Sequence, residues 1–156
     1  EEPEAELEPK HPTVKFLLAA WNEGDFSDAE EYVDSDCAIH FNGFTYDPDE
    51  DIDGPTMARQ NVSDWRRIAP DIRMTLLQEL REKDRIAIEW LVAGTHTGET
   101  PELPATGQAL ELQGTTLLTL DDDKIVEAST FFDALSLVVQ TSAAEPPAWW
   151  PGRGAP

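Results

Sequence analysis

The sequence predicts an α+β fold in which helices come first and a long antiparallel sheet follows. Three observations predict it. Val14, Leu17, Leu18 and Trp21 recur at helical spacing near the N-terminus, and Met57, Asn61, Trp65 and Ile68 do so again further on. After Pro70, four long segments rich in β-branched and apolar residues follow one another. Short polar turns separate most of them, as hairpins require, and helices followed by a run of strands define the class. The chain of 156 residues suits one domain that buries roughly two thirds of its unfolded surface, and it contains no internal repeat.

Each element has its own signal. Residues 1–11 alternate Glu and Pro with little to bury and read as a solvated acidic tail. The domain is expected over 12–141. Its first helix runs from Thr13 and stops at Gly24, and Asp25 or Ser27 is placed to cap a short second helix through Tyr32 and Val33. The stretch DCAIHFNGF reads as one strand, with Ala38, His40 and Asn42 on one side and Cys37, Ile39 and Phe41 on the other. Pro55 opens a helix to Ile68. Strands are expected at 71–80, 84–96, 108–120 and 124–132, and a helix from Asp133 to about Gln140 closes the domain. Residues 142–156 are rich in Pro, Gly and Ala and read as irregular, with AWWPG suited to docking.

Composition excludes several classes. The chain carries 32 acids against 11 bases, a net charge of −21. Such a field repels phosphate backbones and anionic lipid, so neither nucleic acid nor a membrane surface is an expected partner. No apolar run is long enough to span a bilayer, and the acidic N-terminus resembles no targeting peptide, which makes the cytoplasm the expected compartment. Acid excess with only four lysines suits adaptation to molar salt, where the Debye length is about 3 Å and self-repulsion is screened. Cys37 is the single cysteine; on a strand it reads as a buried thiol. The acidic run 49–54 matches half of a calcium loop, but position twelve is Gln60, and the three histidines have no zinc-like spacing. No metal and no cofactor is expected.

Several residues carry chemistry in their type and place. Asp133 follows Phe131 and Phe132 at a strand-to-helix junction. In apolar surroundings a carboxylate is desolvated and suited to proton exchange with carbon; at a helix start it is equally suited to capping. His96 extends the Trp90 face to a strand end. It could hold a carbonyl or assist proton transfer, or anchor the PELPATG loop. Asn42 could donate to a developing enolate oxygen, beside His40 on the same face, and both could be ordinary polar strand residues. Gln113 shares a face with Glu111 and Thr115 and reads as ligand-orienting or as surface. Trp65, Trp90 and Phe131, with Trp21 and Tyr46, could line a cavity or simply fill the core.

The order and spacing of GTHTGE at 94–99, PATG at 104–107, DKIVE at 123–127 and Phe132–Asp133 resemble the SnoaL-like polyketide cyclases, in the ester cyclase branch. The resemblance spans about residues 13–140. It implies a nuclear transport factor 2-like cone, a curved antiparallel sheet wrapped around N-terminal helices to form a conical pocket. It further implies cofactor-independent intramolecular aldol chemistry on a small apolar or polycyclic carbonyl ligand, with Asp133 as acid/base and His96 assisting. His40, Asn42, Gln113, Trp65, Trp90 and Phe131 would bind substrate, and a homodimer would form through the outer sheet face, for which Leu110, Leu112 and Leu118 are compatible. The branch commonly has Trp where this chain has Ser129, which would widen the pocket. Two other readings stand beside this one. One is a non-catalytic binding or interaction domain on the same fold. The other is water activation of the epoxide-hydrolase type, for which Arg85 and Glu89 offer only a partial match to the required Arg flanked by acids.

Overall fold

In a computed structural model that describes residues 6–46, 51–100 and 104–142, the chain runs α1 (Pro12–Glu23), α2 (Ala29–Tyr32), β1 (Val33–Phe41), β2 (Phe44–Thr45), α3 (Gly54–Ile68), β3 (Arg73–Glu82), β4 (Arg85–Thr95), β5 (Ala109–Asp121), β6 (Lys124–Phe132) and α4 (Ala134–Ser142). The strands form one six-stranded sheet in the order β2-β1-β6-β5-β4-β3. All neighbours are antiparallel except β1 and β6, which pair in parallel. Helices α1 and α3 pack on the concave face against β3 and β1. This is the α+β cone that the resemblance implied. No described helix is long and apolar enough to cross a membrane.

The expected strand 36–44 breaks where Asn42 and Gly43 adopt φ of 49° and 85°. Asn-Gly with both φ values positive is the tight hairpin turn, and it sends Phe44–Thr45 back along β1. The Asn-Gly pair was the signal for this turn, and an alternation count passes over it.

Helix α1 is capped at its start by His11, whose Nδ1 accepts from the Thr13 amide at 3.2 Å, and at its end by Gly24 in the left-handed conformation. The edge strand β3 has its outward backbone groups covered, as an exposed edge would invite pairing with another chain. The Asn22 amide accepts from Met74 N–H at 2.6 Å and donates to Met74 C=O at 3.0 Å. Leu7 N–H donates to the Leu76 carbonyl, Glu79 accepts from the amides of Lys10 and His11, and Glu6 pairs with Arg73. Residues 6–11 therefore lie along β3, which corrects the expectation of a free tail there. Residues 1–5, the acidic loop at 47–50 and the AWWPG segment lie outside the described residues.

The Gly-Thr-His-Thr-Gly motif is where β4 leaves the sheet and passes the end of α3. Asp71 takes two bonds there, from Thr95 N–H at 2.7 Å and Thr95 Oγ1 at 2.8 Å, and these hold its carboxyl below the usual range. A carboxylate with a depressed folded-state pKa contributes stability that is present above about pH 4 and is lost as pH falls through the folded value. Asp71→Asn is therefore expected to lower the melting temperature near neutrality and to leave it less changed by acid. Thermal melts of both proteins at neutral pH and at about pH 2 check this, and equal acid sensitivity would refute it.

Candidate functional site

The concave face of the sheet and the two helices above it enclose a cavity of about 110 Å³. Alternation explains its wall. On β4 the residues Ile88, Trp90 and Val92 point inward, and on β5 Leu112, Thr116 and Leu118 do. Phe16 and Trp21 from α1 and Val62 and Trp65 from α3 close it from above. The wall is apolar apart from the indole N–H groups of Trp21, Trp65 and Trp90, the Thr116 and Thr130 hydroxyls, Asn61 and the Cys37 thiol. Burial pushes that thiol up to about 12, with the charge of Asp34 adding to it. A thiol so held stays protonated and does not act as a nucleophile near neutrality.

Leu110, Leu112 and Leu118, expected on the outer face, are 7%, 5% and 2% exposed and fill the interior. The outer face of β5 carries Glu111, Gln113, Thr115 and Leu117 instead.

Within the wall three groups form a chain. Trp90 Nε1 donates to Thr116 Oγ1 at 2.9 Å, and Thr116 Oγ1 lies 2.9 Å from Thr130 Oγ1. Thr116 and Thr130 face each other across β5 and β6, and Trp90 stands opposite Gly114. A Cβ on residue 114 would run into the outer carbons of the Trp90 ring. Gly114 thus lets the indole lie across β5, and that placement carries Nε1 to Thr116. Sequence reading singled out Trp90 but neither threonine; hydroxyls on a strand carry no periodic signal that separates a cavity wall from a sheet surface.

The other expected site residues fall elsewhere. Asp133 is exposed, and its Oδ1 accepts from the Ser136 amide at 2.9 Å. It caps α4 and is absent from the cavity wall, which corrects the expectation of a carboxylate among apolar neighbours. The flanking phenylalanines explain why: Phe132 enters the cavity, whereas Phe131 is 48% exposed. β6 bulges between the pairs Thr119–Glu127 and Leu120–Ile125. One extra residue reverses which side chains point in, so Ile125 is inside but so are Ala128, Thr130 and Phe132. Phe131 therefore leaves the expected ligand-binding set, and Ser129 lies against the outer groove with Glu127, where it cannot widen the cavity.

His96 is fully buried and stands outside the cavity wall. Its Nδ1 lies 3.0 Å from Thr106 Oγ1, its N–H donates to the Gln108 carbonyl at 2.9 Å, and its own carbonyl accepts from Gly107 N–H at 2.8 Å. It pins the Pro-Ala-Thr-Gly turn, and its Nε2 has no partner among the described residues. Gly98 in the same motif donates to the Ile68 carbonyl, and a Cβ there would overlap the Arg67 carbonyl. The motif is spelled by close passage over α3.

Asn42 occupies the β1 turn and accepts from Phe132 N–H at 3.0 Å through Oδ1, which ties β1 to the end of β6. His40 lies on the outer face between Thr45 Oγ1 at 3.2 Å and Glu127 at 3.6 Å. Gln113 is exposed and donates to Glu89 at 2.6 Å. Glu89 thus belongs to the outer face and Arg85 is exposed, so the partial epoxide-hydrolase pattern does not enter the cone. Of the expected binding residues, the structure brings together Trp65 and Trp90. Trp65 meets Phe132 edge-on with centroids 5.9 Å apart. Among the described residues no group of three or more His, Cys, Asp or Glu is placed to hold a metal ion.

A curved sheet closed by helices over an apolar hollow defines the nuclear transport factor 2-like, or ketosteroid isomerase-like, class. The chain belongs to the SnoaL-like polyketide cyclase family, whose model matches residues 11–141. Solved structures share the fold. AclR from Streptomyces galilaeus, described as a candidate hydroxylase, is 21% identical with a TM-score of 0.71, over 86% of this chain and 85% of that one. IdmH from Streptomyces antibioticus, a candidate polyketide cyclase, is 22% identical with a TM-score of 0.68, over 82% and 94%. A protein with a ketosteroid isomerase-like fold from Catenulispora acidiphila, solved with trimethylamine, is 16% identical with a TM-score of 0.67, over 88% and 100%. No curated protein sequence matches this chain.

Replacing Gly114 tests the wall directly. Gly114→Ala forces the Trp90 ring to move, and overpacking of this kind costs about 1–3 kcal/mol. The Trp90 indole N–H resonance is expected to shift with the loss of its bond to Thr116. An unchanged resonance and unchanged stability would show that the indole does not lie over residue 114.

Proposed function

We propose that this chain holds a small, neutral, largely apolar molecule in its cone, and that the cavity wall performs no acid–base chemistry on it. The observation that supports this reading is the composition of the wall. Among the described residues lining it there is no carboxylate, imidazole, amine or guanidinium, and the one thiol is held protonated. A general base must reach the proton it removes, directly or through one water. The family's aldol chemistry, with Asp133 as base and His96 assisting, would need Asp133 to leave the Ser136 amide and His96 to leave its buried place against the 104–107 turn.

The size of the hollow limits its occupant. Drug-sized ligands occupy sites of roughly 300–1,000 Å³, whereas apolar cavities of about 150 Å³ in other proteins take up benzene. A cavity of about 110 Å³ suits a single ring and is too small for the polycyclic ligand that the resemblance suggested.

Cyclohexanone in D₂O separates binding from catalysis. Wild-type protein is expected to bind it, seen as a shift of the Trp90 indole N–H resonance, without accelerating exchange of its α-hydrogens for deuterium. Asp133→Asn is expected to change neither result, since Asn also caps helices well. Accelerated exchange that disappears in Asp133→Asn would overturn the reading and establish acid–base catalysis.

The outer face supports a homodimer. Leu80, Leu117 and Phe131 are 56%, 48% and 48% exposed there. The charge of −21 supports adaptation to high salt. Sedimentation in molar KCl is expected to show a dimer that Leu117→Lys converts to monomer, and dilution of the salt is expected to lower the melting temperature. A monomer under all conditions, or stability indifferent to salt, would refute the respective proposal.

A further inference from the structure

The Trp90, Thr116 and Thr130 chain contains three hydrogen-bond donors and makes two hydrogen bonds. The indole N–H is spent on Thr116 Oγ1. Either the Thr116 hydroxyl donates to Thr130 or the Thr130 hydroxyl donates to Thr116. In both arrangements one hydroxyl proton is left over, because neither hydroxyl has another partner among the described residues. Both side chains belong to the cavity wall. Both threonines are half-buried, and the unspent donor stands in a largely apolar wall of a hollow of ligand size, where an acceptor on a ligand would satisfy it.

From this count we infer that the cavity selects a one-ring molecule bearing a neutral acceptor oxygen, a ketone or an ether, which accepts the unspent threonine proton. This rests on the binding role proposed above and names the ligand chemistry that the role requires. Around this spot Ile88, Leu118, Phe132 and the rings of Trp65 and Trp90 offer the ligand apolar contact, and Asn61 and the Trp21 indole stand elsewhere in the wall. A carboxylate is excluded, since no cation is among the described residues lining the cavity and an unpaired charge there would forfeit its hydration. The indole fixes the chain in one direction: its N–H can only donate, so Thr116 Oγ1 must accept from it, and the surplus proton always falls to a threonine. Gly114 holds the indole in that place. These residues act as specificity determinants; none of them moves a proton to carbon.

The test pairs two probes of nearly one shape, cyclohexanone and methylenecyclohexane, which differ in carrying C=O or C=CH₂. Titration calorimetry is made on wild type and on Thr116→Val/Thr130→Val. The double variant removes both hydroxyl donors and leaves Asn61 and the Trp21 indole in the wall, the same for both probes. The double variant is expected to bind cyclohexanone about tenfold more weakly and methylenecyclohexane within about twofold of wild type, since one net hydrogen bond is worth up to about a factor of ten. Equal losses for both probes, or no loss for either, would overturn the inference.

A second measurement needs no variant. The infrared carbonyl stretch of ¹³C-labelled cyclohexanone bound to wild type is expected below its position in an alkane solvent, as for one accepted hydrogen bond. A band at the alkane position would overturn the inference even if the double variant failed to fold. If methylenecyclohexane binds and the ketone makes no hydrogen bond, only this inference falls. If neither probe binds wild type, the cavity-binding role falls as well.

Discussion

The indole of Trp90 lies across Gly114, and the interior of the cone is organised around that overlap. β4 and β5 pair without a break from Arg85–Thr119 to Thr95–Ala109, so the overlap fixes which side chains of both strands face the helices. Trp90 is large and 6% exposed, and only a residue without a side chain can sit opposite it. The same placement aligns Nε1 with Thr116 and gives the cavity its polar spot.

Charge and chemistry are separated by the sheet. None of the acids among the described residues is buried, and Glu89, Glu111 and Glu127 alternate with inward apolar residues. Burying any of them would require a partner or a proton, and with few bases available the chain keeps them outside. Asp133 follows the same rule. It follows β6 in an exposed position and serves the first turn of α4, whose Gln140 binds the backbone of Glu111 from the other end of the helix. Membership of a cyclase family and a cavity wall without a titrating base among the described residues thus coexist in one chain, because the family's fold is maintained by packing and turn residues that do not depend on catalysis.

Much of the architecture could be read from periodicity. Helices α1 and α3, the four long strands and the closing helix stand within a few residues of where spacing and breakers placed them. Gly24 ends α1 as expected, since a left-handed terminus favours glycine. Less of the site was legible. Trp65 and Trp90, which by sequence could line a cavity or fill the core, face the hollow, while Phe131 and Ser129 lie outside it. The extra residue in β6 turns both side chains outward, and neither residue type nor a family resemblance reveals a bulge. Asn42 and His96 looked chemical because their residue types are chemical; their bonds go to a strand end and to a loop.

What the sequence alone determined was the class: apolar period, turn chemistry and the ordered motifs are local properties, and local properties suffice to specify helices, strands and their order. What the tertiary structure decided was which face is inside and what it contains. Strand register, the β6 bulge and the Trp90–Gly114 contact join residues far apart in the chain, and the bonds of Asn42 to the end of β6 and of His96 to the 104–107 turn exist only once those segments have met. A side chain's chemistry is set by the partners it finds and the water it loses, and neither is written within its own stretch of sequence.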